Sequence, residues 1–175
     1  MAVSMFADVL AGLQRGDFSR LEPFFDEASG QSGKPAIVEW HEEGRFRDQP
    51  EALAEALTCA SFLGRTGVVE YLLAHGVTPS GGAGTGLDGL HWAANRGQLE
   101  AVRLLIRAKA PLETRSMYGG TALGTAIWSA INEPRPDHLR IIEALLGAGA
   151  RLEETDYPTG NAQLDAILQR HRSTK

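Results

Sequence analysis

The chain is expected to fold as an all-α solenoid of stacked helix-turn-helix units, and three observations predict it. Ala60, Ala93 and Ala126 recur at a constant spacing of 33 residues. Each sits in a similar window: Ala56-Leu57-Thr58-Cys59-Ala60-Ser61, Gly89-Leu90-His91-Trp92-Ala93-Ala94 and Ala122-Leu123-Gly124-Thr125-Ala126-Ile127, with leucine three residues ahead of the alanine. Apolar pairs, Leu72-Leu73 and Leu105-Ile106, follow the first two alanines at twelve and thirteen residues. A fixed period of this length marks one supersecondary unit that stacks on its copies because it cannot bury its apolar face alone.

Composition sets the outer bounds. At 175 residues, 43% hydrophobic and 22% charged, the chain can bury a core as a single domain. A net charge of −5, with Lys and Arg scattered singly, supplies no basic stripe for nucleic acid or a membrane surface. The first residues lack a basic region and meet Asp8 before any long apolar run, so no secretory signal is read there. The single cysteine, Cys59, fits a reducing compartment, and a cytoplasmic location is expected.

The elements follow in order. Phe6 to Glu27 reads as two short helices broken at Gly16-Asp17, with Phe6, Val9, Leu10 and Leu13 on one stripe and Phe18, Leu21, Phe24 and Phe25 on another. An array needs an atypical end unit, so this is taken as an N-terminal cap. Ser29 to Lys34 is a loop by composition, and Ile37, Val38, Trp40 and Phe46 then supply apolar anchors.

Asp48 is read as a capping acid and Pro50 as a first-turn proline for a helix running to about Phe62, with Gly64 beyond it. The partner helix spans about Thr66 to Ala74, and Gly76 stands where a left-handed terminus is wanted. The second unit repeats this as Asp88 to Arg96, a break at Gly97, then Leu99 to Ala108. Lys109 occupies its glycine position, at a cost if φ is positive there. In the third unit Leu145-Leu146 lies 40 residues after Leu105-Ile106, so seven residues are inserted, assigned to Asn132-Glu-Pro-Arg-Pro136 between the helices. Asp137 is read as a cap for the helix that Gly149 ends. Tyr157 to Gly160 is a turn, and Asn161 to His171 a final helix with Leu164, Ile167 and Leu168 on one face.

These residues resemble the ankyrin-repeat family. The middle unit matches over its whole length: Gly86-x-x-x-Leu90-His91-x-Ala93-Ala94-x-x-Gly97, then Val102-x-x-Leu105-Ile106. The first keeps Ala60, Gly64, Val68-Val69, Leu72-Leu73 and Gly76. The third keeps Gly119, Thr121, Leu123, Ala126, Leu145-Leu146 and Gly149-Ala150. Only the middle unit has the histidine, where the resemblance implies a bond to neighbouring backbone, and none has the usual proline. The resulting division is one domain: an N-terminal cap (1–28), a loop-rich insert (29–48), repeats at 49–81, 82–114 and 115–153, and a C-terminal cap (154–175).

No credible catalytic set emerges. Gly84-Thr-Gly86-Leu-Asp-Gly89 satisfies a dinucleotide string but lacks a preceding strand. Gly30-Gln-Ser-Gly-Lys-Pro35 lacks the leading glycine and the hydroxyl of a phosphate loop. Cys59 and His91 lie on successive units, whose helices stand roughly 8–10 Å apart, too far for an activated thiol. His41-Glu42-Glu43 has no partner at metal-ligand spacing. No cofactor, metal or catalytic residue is assigned.

The resemblance implies that another protein binds at the hairpin tips and the exposed side of the first helices. Carried onto this chain, those positions are Phe62 and Leu63, Asn95 and Arg96, Trp128, and the tip residues Met117 and Tyr118, with Trp92 sharing the face. Two readings of Trp92 and Trp128 stand: interaction hot spot, or core residues filling gaps left by Gly89 and Gly124. Glu133 to His138 is a second candidate surface. The function expected is a non-catalytic protein-binding module. A small-molecule or enzymatic pocket near Trp92 and Trp128, or a homodimer through the same face, are the alternatives.

Overall fold

The computed structural model describes residues 2–82 and 84–173. Expectations touching Met1, Ala83, Thr174 and Lys175, at the chain ends and just ahead of Gly84, lie outside the described residues. The helices are α1 (Ala2–Arg15), α2 (Ala36–Glu42), α3 (Pro50–Leu63), α4 (Thr66–Ala74), α5 (Gly89–Arg96), α6 (Leu99–Arg107), α7 (Ala122–Asn132), α8 (His138–Gly147) and α9 (Ala162–Ser173). Short 3-10 helices occupy Glu22–Phe25 and Glu154–Asp156. No strand is present among the described residues. The all-α solenoid expected from the 33-residue period is therefore the fold.

The helices stack in two layers. The inner layer runs α1, α3, α5, α7 and the outer one α2, α4, α6, α8, α9, each helix touching its neighbours in that order. The repeated small residues explain the spacing: Ala60, Ala93 and Ala126 have no exposed surface, so inner helices approach closely. Leu57, Leu90 and Leu123, three residues earlier, are equally buried and interlock the units. Each such leucine contributes roughly 1.5–3 kcal/mol of transfer free energy. In the outer layer Leu72, Leu105 and Leu145 are fully buried, whereas their neighbours Leu73 and Ile106 are only half-buried. In the first two pairs one side chain, not both, fills the inter-unit seam, whereas Leu145 and Leu146 are both buried.

Several local expectations are corrected. The second N-terminal helix is a single 3-10 turn, because Pro23 has no amide hydrogen for a longer helix. The outer helix of the cap is instead α2, drawn from the loop-rich segment. Its Ile37, Val38 and Trp40 are buried, and Phe6 and Phe24 stand against Trp40 with ring centroids 5.3 and 5.8 Å away. Asp48 does not cap α3; Gln49 precedes Pro50, and neither makes a side-chain capping bond there. Asp137 sits at the start of α8 without a capping bond, its carboxylate held by Arg140 at 2.7 Å.

Lys109 does adopt a positive φ of 59°, at the position that Gly76 (79°) and Gly149 (100°) fill in the flanking units. The seven-residue insertion is shared between loop and helix. The α7 helix runs on past Ser129, the counterpart of Arg96, to Asn132, and Pro134 then prevents further helix. No helix among the described residues is long and apolar enough to cross a membrane.

Candidate functional site

Two fingers join the outer helix of one unit to the inner helix of the next, α4 to α5 and α6 to α7, and a third leads from α8 to the terminal helix α9. In the first, the Asp88 carboxylate accepts from the Leu90 and His91 amides, both at 3.0 Å, capping α5. The same oxygen lies 2.8 Å from His91 Nδ1, and His91 Nε2 lies 3.2 Å from the Gly120 carbonyl in the next finger. Both ring nitrogens thus face acceptors, and the buried imidazole ties the two fingers, in the role the family resemblance implied. At the tips the Met117 amide donates to the Thr85 carbonyl at 2.8 Å. Gly86 allows this approach, since a β-carbon there would stand 3.0 Å from the Arg115 carbonyl, and its φ is 67°.

These ties orient the second finger. The Ser116 amide donates to the Gly120 carbonyl, the Gly119 amide to that of Ser116, and Thr121 Oγ1 accepts from the Gly124 amide to start α7. Met117 and Tyr118 are turned out at the tip of that closed turn, 66% and 78% exposed. On α7, Trp128 is 52% and Ile131 44% exposed. Of the five large apolar side chains left exposed among the described residues, those four share the second finger and the helix it feeds. The extension of α7 into the insertion is what presents Ile131.

Between fingers and inner helices lies a concave groove of about 930 Å³. Trp92, Asn95, Tyr118, Trp128 and Ile131 line it, with Glu153, Asp156 and Pro158 of the third finger closing one end. The carboxylates belong to the 3-10 turn, where Glu153 and Asp156 cap each other's backbone in a reciprocal box. Arg115 pairs with Glu153. Asp156 accepts from the Glu153 amide at 3.0 Å and has no ion-pair partner among the described residues. Burial raises its carboxyl above the ordinary value; that hydrogen bond opposes the shift and the Glu153 charge adds to it.

The eight residues singled out from sequence separate into two groups. Trp92, Asn95, Tyr118 and Trp128 line the groove, while Phe62, Leu63, Arg96 and Met117 do not. Phe62 is half-buried, with Trp92 edge-on to it at 5.2 Å and the Arg96 guanidinium 4.9 Å over its ring, so these three form a staple between α3 and α5. Leu63 is half-buried against the core. Asn95 has a second task, donating from Nδ2 to Ser129 Oγ at 2.9 Å across α5 and α7.

Neither tryptophan fills a glycine gap. Ser61 Oγ and a Leu105 methyl occupy the space at Gly89, and at Gly124 only Thr121 Oγ1 comes within 4 Å. His138, placed at the edge of the candidate insert surface, is buried: Nδ1 accepts from the Arg135 amide and Nε2 donates to the Asn95 carbonyl. Its surface role is withdrawn for that reason.

Glu153, Asp156 and Ile131 were missed. A usable signal existed: the 40-residue spacing of the third unit carries Ser116 onto Asp156 and Tyr118 onto Pro158, marking a further finger. Ile131 had none, because it lies where the insertion breaks the register.

The strings with catalytic overtones are structurally occupied. The Leu90 and His91 amides after Gly89 already serve Asp88. In the Gly30 loop the amides of Gln31 and Ser32 donate to the Glu39 carboxylate, and Lys34 is held by Glu42 at 2.7 Å. Cys59 is buried, and burial, then the charges of Glu55 and Glu22, push its thiol up, away from reactivity. His41 lies 2.9 Å from the Tyr71 hydroxyl, and no group of three His, Cys, Asp or Glu among the described residues is placed to hold a metal.

A protein-family model described as ankyrin repeats, three copies, matches residues 57–156, more than half of the chain. Among curated proteins, none matches it.

Proposed function

The chain belongs to the ankyrin-repeat family, whose repeats generally serve protein–protein interaction, and from that premise we propose a non-catalytic module that grips a partner protein in the concave groove. The observation that carries this reading is the gathering of Tyr118, Trp128 and Ile131, all exposed, around one groove on a closely packed scaffold. Isolated exposed apolar residues are ordinary; two aromatics and an isoleucine lining one groove are the makeup of an interaction centre. Trp92 and Asn95 form the floor, and Met117 extends the patch at the finger tip. Phe62 and Arg96 brace the floor beneath Trp92, and Leu63 packs against the core.

A cytoplasmic location accords with the free, buried thiol of Cys59, and fractionation of source cells checks it.

The test is affinity capture from source lysate with mass spectrometry, wild type beside a Trp128→Ala, Tyr118→Ala double variant of matching circular dichroism. A protein held by wild type and lost by the variant supports the reading. Equal capture by both moves the contact elsewhere. Capture of none, with a mass that rises with concentration in light scattering, assigns the face to self-association.

A further inference from the structure

The groove is chemically lopsided. One wall is aromatic and apolar, and the formal charges among its lining residues are two carboxylates, Glu153 and Asp156, with no lysine or arginine among them. Glu153 is engaged by Arg115, whereas Asp156 has no ion-pair partner among the described residues. An acidic segment entering here would meet the Asp156 charge, which no ion pair among the described residues offsets. A purely apolar one would strip water from the Asp156 carboxylate without replacing it, an uncompensated desolvation. A cation answers both objections, and aromatic faces attract cations through their quadrupole.

Resting on the groove as a protein-binding surface, we propose that its occupant is an extended partner segment carrying a lysine or arginine next to an apolar residue. The cation sits at Asp156 and the apolar side chain on Trp128. The third finger thereby sets specificity, while Trp128 and Tyr118 supply contact area. Burial and the Glu153 charge both disfavour ionised Asp156 in the free protein, and a bound cation offsets both.

The experiment is selection of displayed random linear peptides on the full chain, then fluorescence polarisation of labelled, enriched peptides against wild type, D156N and W128A. Enriched peptides are expected to share a lysine or arginine beside an apolar residue. Loss of either charge, by D156N or by glutamine in the peptide, should weaken binding roughly fivefold to tenfold, with little further loss when both are changed. W128A should weaken binding as well.

Peptides lacking a basic residue, or additive losses in the double change, would overturn the cation site while sensitivity to W128A preserved the groove reading. Insensitivity to W128A, or no enriched peptide, would overturn both. Asp156 also braces its own turn, so D156N is checked by circular dichroism. The peptide-side change on unaltered protein gives an independent readout: no weakening there overturns the proposal.

Discussion

His138 Nε2 donates to the carbonyl oxygen of Asn95 at 3.1 Å, so the inserted segment of the third unit is anchored to the end of the inner helix one unit earlier. Its Nδ1 accepts from the Arg135 amide at 3.1 Å, which fixes the neutral tautomer and holds the loop containing both prolines. One buried side chain thus seats the insertion, and with it the extended α7 that carries Ile131 into the groove.

Replacing His138 by alanine leaves a backbone donor and a backbone acceptor without their partner. Such a loss costs about 1–3 kcal/mol. Urea denaturation of H138A should show a lower midpoint with unchanged slope; a midpoint equal to wild type would show that the bonds are replaced by water at no cost.

Mild acid should weaken the fold through His138 and His41. Burial holds the His138 imidazole below the ordinary histidine value of 6.5, helped by the Arg135 charge and opposed by the Asn95 hydrogen bond and Asp137. His41 is lowered by burial and then by His75, with Glu42 opposing. The unfolded histidines take up protons below about 6.5 while the folded ones do so only at lower pH, so stability rises with pH in that window. It is fully present above about 6.5 and is lost as pH falls toward the folded values. Urea midpoints at about pH 7.5 and about pH 5.5 should differ, and H138Q should flatten the difference. Equal midpoints in wild type would refute this.

Lys109 is strained where its counterparts are glycines. A left-handed non-glycine residue costs roughly 1–2 kcal/mol, and glycine returns part of that as backbone entropy. Lys109→Gly should therefore stabilise the chain by roughly 0.5–1 kcal/mol and raise the melting temperature by a few degrees. A lower melting temperature would place the lysine's own contacts above the strain.

Ala93→Arg should unfold the array, because Ala93 is fully buried between inner helices and no space exists for a guanidinium. Trp128→Ser should cost only about 1–3 kcal/mol and leave the array folded, since half that side chain already meets water. Thermal melts of both, followed by circular dichroism, check the contrast. An Ala93→Arg protein melting within a few degrees of wild type would contradict the stacking described above.

The sequence by itself determined the solenoid, the placement of its six repeat helices and the glycine-type turn at Lys109. These rest on residue size and backbone angle at positions a fixed period exposes: Ala60, Ala93 and Ala126 must be small wherever two helices touch. The period also carried Trp92, Asn95, Tyr118 and Trp128 onto the face where the groove lies. The tertiary structure decided what register cannot. Phe62 shares the period of the groove residues Asn95 and Trp128 yet is spent between Trp92 and Arg96, since whether a side chain turns inward depends on its neighbours across the stack. The helix from Ala36 to Glu42, the burial of His138 and the carboxylates at Glu153 and Asp156 arise where the period is broken or capped. There position is set by long-range contacts and hydrogen bonds rather than by a repeating local pattern.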